Sequence, residues 1–197
     1  MTLDDPWLSA FVPEDPDGPL PAIGEHLRAV FACSRRQVRD AAEQGFTERV
    51  ARAPAMAIEL TAPPDAPPDV ERGVDLQEVG AINDLAYGNA DHGVERTFAR
   101  LPAGAVHSYG RRARGGRLVS VGLAFDRGDD ATIQYVATTP GAERAGHATA
   151  IMRAALAHAA SRGLATTTLT ASDEGRPVYE RLGYRVVGTV ELWRRRG

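Results

Sequence analysis

A β-branched run that stops at Pro140-Gly141 and resumes as the apolar face of a helix constrains this chain more than any other feature. Ile133 to Thr138 has the composition of a strand. Pro140-Gly141 ends it. Ala148, Ile151, Met152, Ala155, Leu156 and Ala159 then recur at helical spacing. The Thr-rich run from Ala165 to Ala171 reads as a second strand, parallel to the first across that helix. The junction itself is Arg144-Ala145-Gly146-His147-Ala148-Thr149. The first N–H groups of a helix lack intrahelical partners and lie at the positive end of its dipole. Gly146 and Ala148 leave room for a phosphate against those groups, and Arg144 and the Thr149 hydroxyl can add to its recognition. Taken alone, the segment reads equally as an ordinary strand-to-helix turn, because short Gly-containing motifs match often by chance.

A second stretch changes that balance. It is Leu169-Thr-Ala-Ser172-Asp-Glu-Gly-Arg-Pro177-Val-Tyr179-Glu-Arg-Leu-Gly183-Tyr184. Together the two stretches resemble the GNAT superfamily of acyl-CoA N-acyltransferases, over roughly residues 70 to 197 and most specifically from Val136 to Tyr184. The implied fold is α+β, or mixed α/β. It has a mostly antiparallel twisted sheet with one parallel, splayed strand pair and helices on both faces. The resemblance implies acetyl-CoA or a related acyl-CoA as cosubstrate, with no metal. Its pantetheine arm would pair with Val136, Ala137 and Thr138. Its pyrophosphate would meet Arg144, Ala145, Gly146, His147, Ala148 and Thr149. Ser172 would touch the pantetheine, with Thr170 and Ala171 along the same wall. Tyr179 would stand by the sulfur and protonate the departing thiolate, for which a phenol (pKa near ~10) is a suitable acid. The family's usual residue at the first motif position is Gln or Arg. Here it is Glu143, so either Glu143 turns to solvent and Arg144 supplies the charge, or coenzyme binding is weakened.

The implied reaction is direct attack of a neutral amine, on a small molecule or a protein, at the thioester carbonyl. N–H donors near Val136 would stabilise the oxyanion. Glu95, His92, His107 and Glu191 are candidate bases. Asn83, Tyr87, Asp91, His92 and Glu95 fall where the fold places the acceptor. A second reading is a non-catalytic acyl-CoA-binding regulatory or sensor module. A nucleotide-binding α/β domain ranks below both, since it would need repeated βαβ units.

The rest of the chain is read around that segment. The formal net charge of −3 gives no reason to expect nucleic acid. No stretch approaches the ~18 apolar residues of a membrane span, and the N-terminus lacks a leader pattern, so the expectation is a cytoplasmic protein. One cysteine, Cys33, excludes an intrachain disulfide. Every basic side chain is Arg. Thr61 to Pro68 is Pro-rich and suggests a boundary between an extension, 1–68, and an acyltransferase domain, 69–197. Within the extension, irregular structure is expected over 1–21, anchored by Trp7 and Phe11. A helix is expected over Ile23–Phe31, a second over Arg35–Gln44 with a solvated charged face, and a short strand over Met56–Leu60. Gly45-Phe46 after a helix echoes Gly183-Tyr184, so the extension could be a degenerate partial lobe of the same fold. Asp75 and Glu78 form a capping box for a helix carrying Asn83 and Tyr87, and Gly93–Leu101 is a second helix. Two hairpins follow, with Val119, Val121, Leu123 and Phe125 on one strand face. The last strand is Tyr184–Trp193, and Arg194 to Arg196 form a solvated tail. The extension and the chain end could build a homodimer contact.

Overall fold

A computed structural model describes residues 10–11, 15, 17–24, 27, 29–102, 104 and 106–196. Trp7 lies outside them, as does the side chain of Phe11. The strands are β1 (Ala10–Phe11), β2 (Ala29–Ala32), β3 (Phe46–Glu59), β4 (Val70–Arg72), β5 (His107–Arg112), β6 (Leu118–Arg127), β7 (Asp130–Thr138), β8 (Thr166–Thr170) and β9 (Arg185–Arg195). The helices are α1 (Arg35–Glu43), α2 (Leu76–Tyr87), α3 (Gly93–Phe98), α4 (His147–Ser161) and α5 (Arg176–Arg181). The chain forms two compact units that interleave in sequence. One holds Met1–Met56, Thr170–Arg176 and Val186–Gly197, and the other holds Ala57–Leu169 and Pro177–Arg185.

In the first unit β2 runs parallel to β1 and antiparallel to β9, from Ala29 opposite Arg194 to Ala32 opposite Glu191. The helix expected over Ile23–Phe31 is therefore replaced by a strand at its end. Val30 and Phe31 are good strand formers, and the pairing that decides the matter comes from the far end of the chain. Leu20, Ile23, Val30, Ala41 and Phe46 form the core, with Leu27 and Trp193 packed on it. Ser34 caps α1 by accepting from the Gln37 N–H, and Gly45 leaves the helix at φ 84°. The polar face of α1 is not simply solvated. Gln37, Asp40 and Gln44 lie one to two turns apart and hold the irregular segment before them. The buried Gln37 amide donates to the carbonyls of Asp15 (2.6 Å) and Gly18 (3.2 Å), while its oxygen accepts from the Cys33 N–H (2.8 Å). Asp40 accepts from Leu20 N–H (2.9 Å) and Gln44 from Ile23 N–H (2.7 Å). Arg194 and Arg195 belong to β9 rather than to a tail. Arg194 pairs with Glu48 (2.7 Å) and the Arg195 guanidinium lies 4.3 Å from the Phe46 ring centre.

In the second unit β4, β5, β6 and β7 form an antiparallel meander and β8 adds parallel to β7. Leu118 to Ala124 of β6 are buried without a break, whereas Phe125, expected on the apolar face, is 38% exposed. A strand buried on both faces needs cover on both. Its small-residue face admits α4 closely: a Cβ on Gly122 would lie 2.7 Å from Ile151 Cγ2. Ile151, Met152, Leu156, Val119, Val121 and Ile133 are among the most deeply buried side chains. Asp75 caps α2 through the N–H groups of Gln77 and Glu78, and Glu78 turns to Arg112 (3.5 Å). α4 begins at His147, one residue before the first position of its apolar pattern, because Arg144 (φ 60°) and Gly146 (φ 76°) are left-handed and keep the helix from starting earlier. Among the described residues no helix is long and apolar enough to cross a membrane.

Candidate active site

The parallel pair is the centre of the site. β7 and β8 are in register only at Asp130–Thr166, Ala131–Thr167 and Thr132–Thr168. Beyond that point β7 continues to Thr138 with no β8 residue in register among the described residues. The closed end is pinned by Asp130. Its carboxylate accepts from the hydroxyls of Thr166 (2.7 Å), Thr168 (2.6 Å) and Thr132 (3.2 Å). The Thr-rich composition of β8 thus has a local use.

The open end carries a bulge. Val121 pairs with Ala137 and Leu123 with Gln134, so Tyr135 and Val136 together oppose the single Gly122. Tyr135 sits at φ 54°, which costs on the order of 1–3 kcal/mol for a residue of this type. Its neighbours hold it there. The Phe98 ring meets the Tyr135 ring edge-on at 4.8 Å. The Asn83 amide, on α2, donates to the Tyr135 carbonyl (3.1 Å) and to the Val79 carbonyl (3.3 Å). Sequence reading places Asn83 near an acceptor; its amide nitrogen is committed to the bulge instead. The bulge was not anticipated, although Gly122 in the middle of an apolar strand is its signal.

Beyond Thr138 the chain turns directly into α4. Thr139 N–H donates to the Val119 carbonyl and Ala142 N–H to the Thr139 carbonyl. Gly146 is the N-cap and supplies no side chain, so the N–H groups of His147, Ala148 and Thr149 have no cap from it. A Cβ on Gly146 would meet nothing within 4 Å, so the approach to those groups is open. Arg144 and Ala145 are exposed beside it. The Glu143 carboxylate accepts from Gly141 N–H (2.7 Å), which folds it back onto its own turn. His147 lies near Arg111 and Asp69. Burial, and then the Arg111 charge, push its pKa below the ordinary histidine value, against the pull of Asp69. Its Nδ1 is buried without a partner among the described residues.

Tyr179, on α5, is 9% exposed and meets the Tyr184 ring edge-on at 6.0 Å. The Tyr184 hydroxyl bonds the buried Thr167 hydroxyl of β8, which ties α5 to the parallel strand. Burial pushes the Tyr179 phenol up to about 12, with a smaller push from Tyr87. Tyr87 is 63% exposed at the end of α2. Ser172 belongs to the other unit, where its hydroxyl accepts from Gly175 N–H (3.1 Å) and its carbonyl from Arg176 N–H (2.9 Å).

The candidate bases are engaged in other contacts. Glu191 pairs with Arg49 (3.3 Å) and accepts from the Trp193 indole (3.1 Å). His107 pairs with Asp126 (3.3 Å) at the closed end of the strand pair. His92 and Glu95 pair with each other (3.1 Å), and Glu95 also accepts from the Gln77 amide (3.0 Å). They adjoin Asp84, a carboxylate buried to 2% exposure. Asp84 accepts from Val94 N–H (3.2 Å), Glu95 N–H (2.9 Å) and the Asn89 amide (3.1 Å), so it serves as the cap of α3.

A meander, a parallel pair in register at one end only and an uncapped helix start follow one another in that order, and known proteins share the arrangement. Residues 99–193 match the family model described as the acetyltransferase (GNAT) domain. Solved structures share the fold. A GCN5-related N-acetyltransferase from Kribbella flavida is 21% identical, with 86% of this chain and 68% of that chain covered and a TM-score of 0.61. A GNAT-family protein from Novosphingobium aromaticivorans is 22% identical, with 77% and 69% covered and a TM-score of 0.57. A Clostridium acetobutylicum protein solved with acetyl-CoA is 18% identical, with 59% and 88% covered and a TM-score of 0.50. No curated protein matches the chain.

Proposed function

We propose that this protein transfers an acetyl or related acyl group from acetyl-CoA to an amine of a small molecule or a protein in the cytoplasm. The observation that carries the reading is that the parted pair β7–β8 opens directly onto the uncapped start of α4. A thin chain of amide groups fits the unpaired strand edge at Val136 to Thr138, as an added strand would. A pyrophosphate fits the N–H groups from His147 to Thr149, beside the Arg144 charge. Ala145, Gly146 and Ala148 keep that approach free of bulky side chains. Glu143, held on the Gly141 N–H, leaves the cation at this turn to Arg144.

In the reaction a neutral amine attacks the thioester carbonyl, the C–N bond forms and the C–S bond breaks. The thiolate takes the proton of Tyr179, whose burial keeps the phenol protonated at every working pH, and the proton that the attacking nitrogen loses on becoming an amide restores the phenol. The reading that competes is a non-catalytic acyl-CoA binder, which the commitment of His92, His107, Glu95 and Glu191 to other partners favours.

Calorimetric titration with acetyl-CoA and CoA tests the coenzyme site. Arg144→Ala is expected to weaken both ligands by about tenfold, as loss of one charge-assisted phosphate contact should. Folded wild-type protein that binds neither ligand sinks the assignment. Binding without thiol release across a panel of amines would leave the binder reading in its place. We also propose that residues 22–60 are a partial copy of the working lobe. What supports this is that α1, Gly45 (φ 84°) and buried Phe46 lead into β3 as α5, Gly183 (φ 99°) and buried Tyr184 lead into β9.

A further inference from the structure

The geometry points to Asn83 as the positioning residue that aims the Val136 N–H at the thioester carbonyl; the inference rests on the acyl-CoA reading. The Asn83 side chain is 1% exposed on α2, and both protons of its amide nitrogen are placed, one on Val79 of its own helix and one on Tyr135 of β7. The first bond fixes the amide on the helix. The second fixes one peptide plane in the bulge. The carbonyl of Tyr135 and the N–H of Val136 belong to the same planar trans peptide and point in opposite directions. Holding the carbonyl toward α2 therefore turns the Val136 N–H away from α2.

The rest of the bulge makes this orientation one the strand would not keep unaided. Tyr135 at φ 54° is left-handed, and two residues face one across the ladder, so β6 does not dictate the plane. On the other edge β8 has already parted at Thr132–Thr168. Phe98 supports the ring of Tyr135 at 4.8 Å, but a ring contact does not set a peptide dihedral. Asn83 does. A buried amide is costly to keep unless it is satisfied, and here one donor is satisfied by its own helix and the other by a backbone group of the bulge 52 residues away. Asn83 itself does not touch the substrate.

Calorimetry on the whole chain tests this with CoA and acetyl-CoA as probes, which differ only in the acetyl carbonyl and its methyl group. The variants are Asn83→Leu, which keeps the volume and removes both donors, and Asn83→Ala, in case the first fails to fold. Wild type is expected to prefer acetyl-CoA over CoA several-fold. The variants are expected to lose that preference while their CoA affinity stays within about twofold of wild type. With any amine that supports turnover, kcat should fall by about tenfold or more, while the KM for acetyl-CoA rises by no more than the several-fold preference that is lost. A variant that is folded and keeps the wild-type preference overturns the inference, as does a wild type with no preference. Equal loss of both ligands also overturns it, since that is the mark of a structural role. Wild type that binds neither ligand removes the acyl-CoA reading itself.

Discussion

Tyr179 and His158 show burial acting in opposite directions on two titratable side chains. For Tyr179, burial raises the phenol to about 12. A raised folded pKa means that the protonated form persists well above pH 10, so Tyr179 should impose no alkaline limb on a pH–rate profile below about pH 11. Tyr179→Phe is expected to slow acyl transfer by about a hundredfold and to leave acetyl-CoA affinity within about twofold, read by steady-state kinetics and calorimetry. His158 lies near the end of α4, its Nδ1 3.0 Å from the Tyr109 hydroxyl. Burial, then Arg162 and Arg72, hold its pKa down to about 4, while Asp126 pulls weakly the other way. A histidine depressed in the folded state stabilises the protein above its unfolded pKa near ~6.5, and that contribution is lost as pH falls toward 4. Thermal midpoints between pH 7 and 4 should show it, at roughly 1–3 kcal/mol for a half-buried group. His158→Gln should flatten that part of the curve. A further loss below pH 4 should survive in the variant, because Asp126, held low chiefly by Arg162, must then take a proton. A drop of the same size in the variant would mean that His158 is not its source.

At the scale of elements, what the sequence discloses depends on how far away the deciding partner lies. The caps of α2 and α1, the left-handed glycines after α1 and α5, and the apolar face of α4 are local, and each could be read from residues within a turn of one another. β2 could not, since its choice between helix and strand is made by Glu191 to Arg194. The same distance hid the work of Gln37, Asp40 and Gln44 on a helix face that reads as solvated. It also hid the partnership of His147 with Arg111 and Asp69. Of the candidate site, the open helix start was legible because its chemistry is the backbone's own. The bulge and its hold on Asn83 join α2 to β7 across 52 residues. Gly122 marks where β6, the bulge and α4 meet. Gly122→Ala should place a methyl group against Ile151 and cost about 1–3 kcal/mol, seen as a lower denaturation midpoint with an unchanged slope. Ile151→Leu in the same chain, which removes the branch at Cβ that carries Cγ2, should recover part of the loss if the contact is the cause, and none if the harm lies elsewhere.

For the molecule as a whole, the parted strand pair has a consequence for how it lives without its ligand. A strand with unsatisfied N–H and C=O groups is a template for any extended peptide, and proteins usually hide such edges. Here the β7 edge from Ile133 to Thr138, the wall of the proposed coenzyme cleft, has no β8 partner, but its residues are buried or half-buried and its far end is clamped by Asp130 and three threonines, so it is shielded by burial rather than by charge. Amide hydrogen exchange should therefore divide β7 in two. Asp130 to Thr132 should exchange slowly with or without CoA, and Val136 to Thr138 should exchange quickly alone and slow by tenfold or more at saturating CoA. Uniform protection along β7 in the free protein would mean that the cleft is closed. If the division holds, the ligand-free chain is its own most sticky form, and a cell that runs short of coenzyme would first meet this protein as a client of its chaperones.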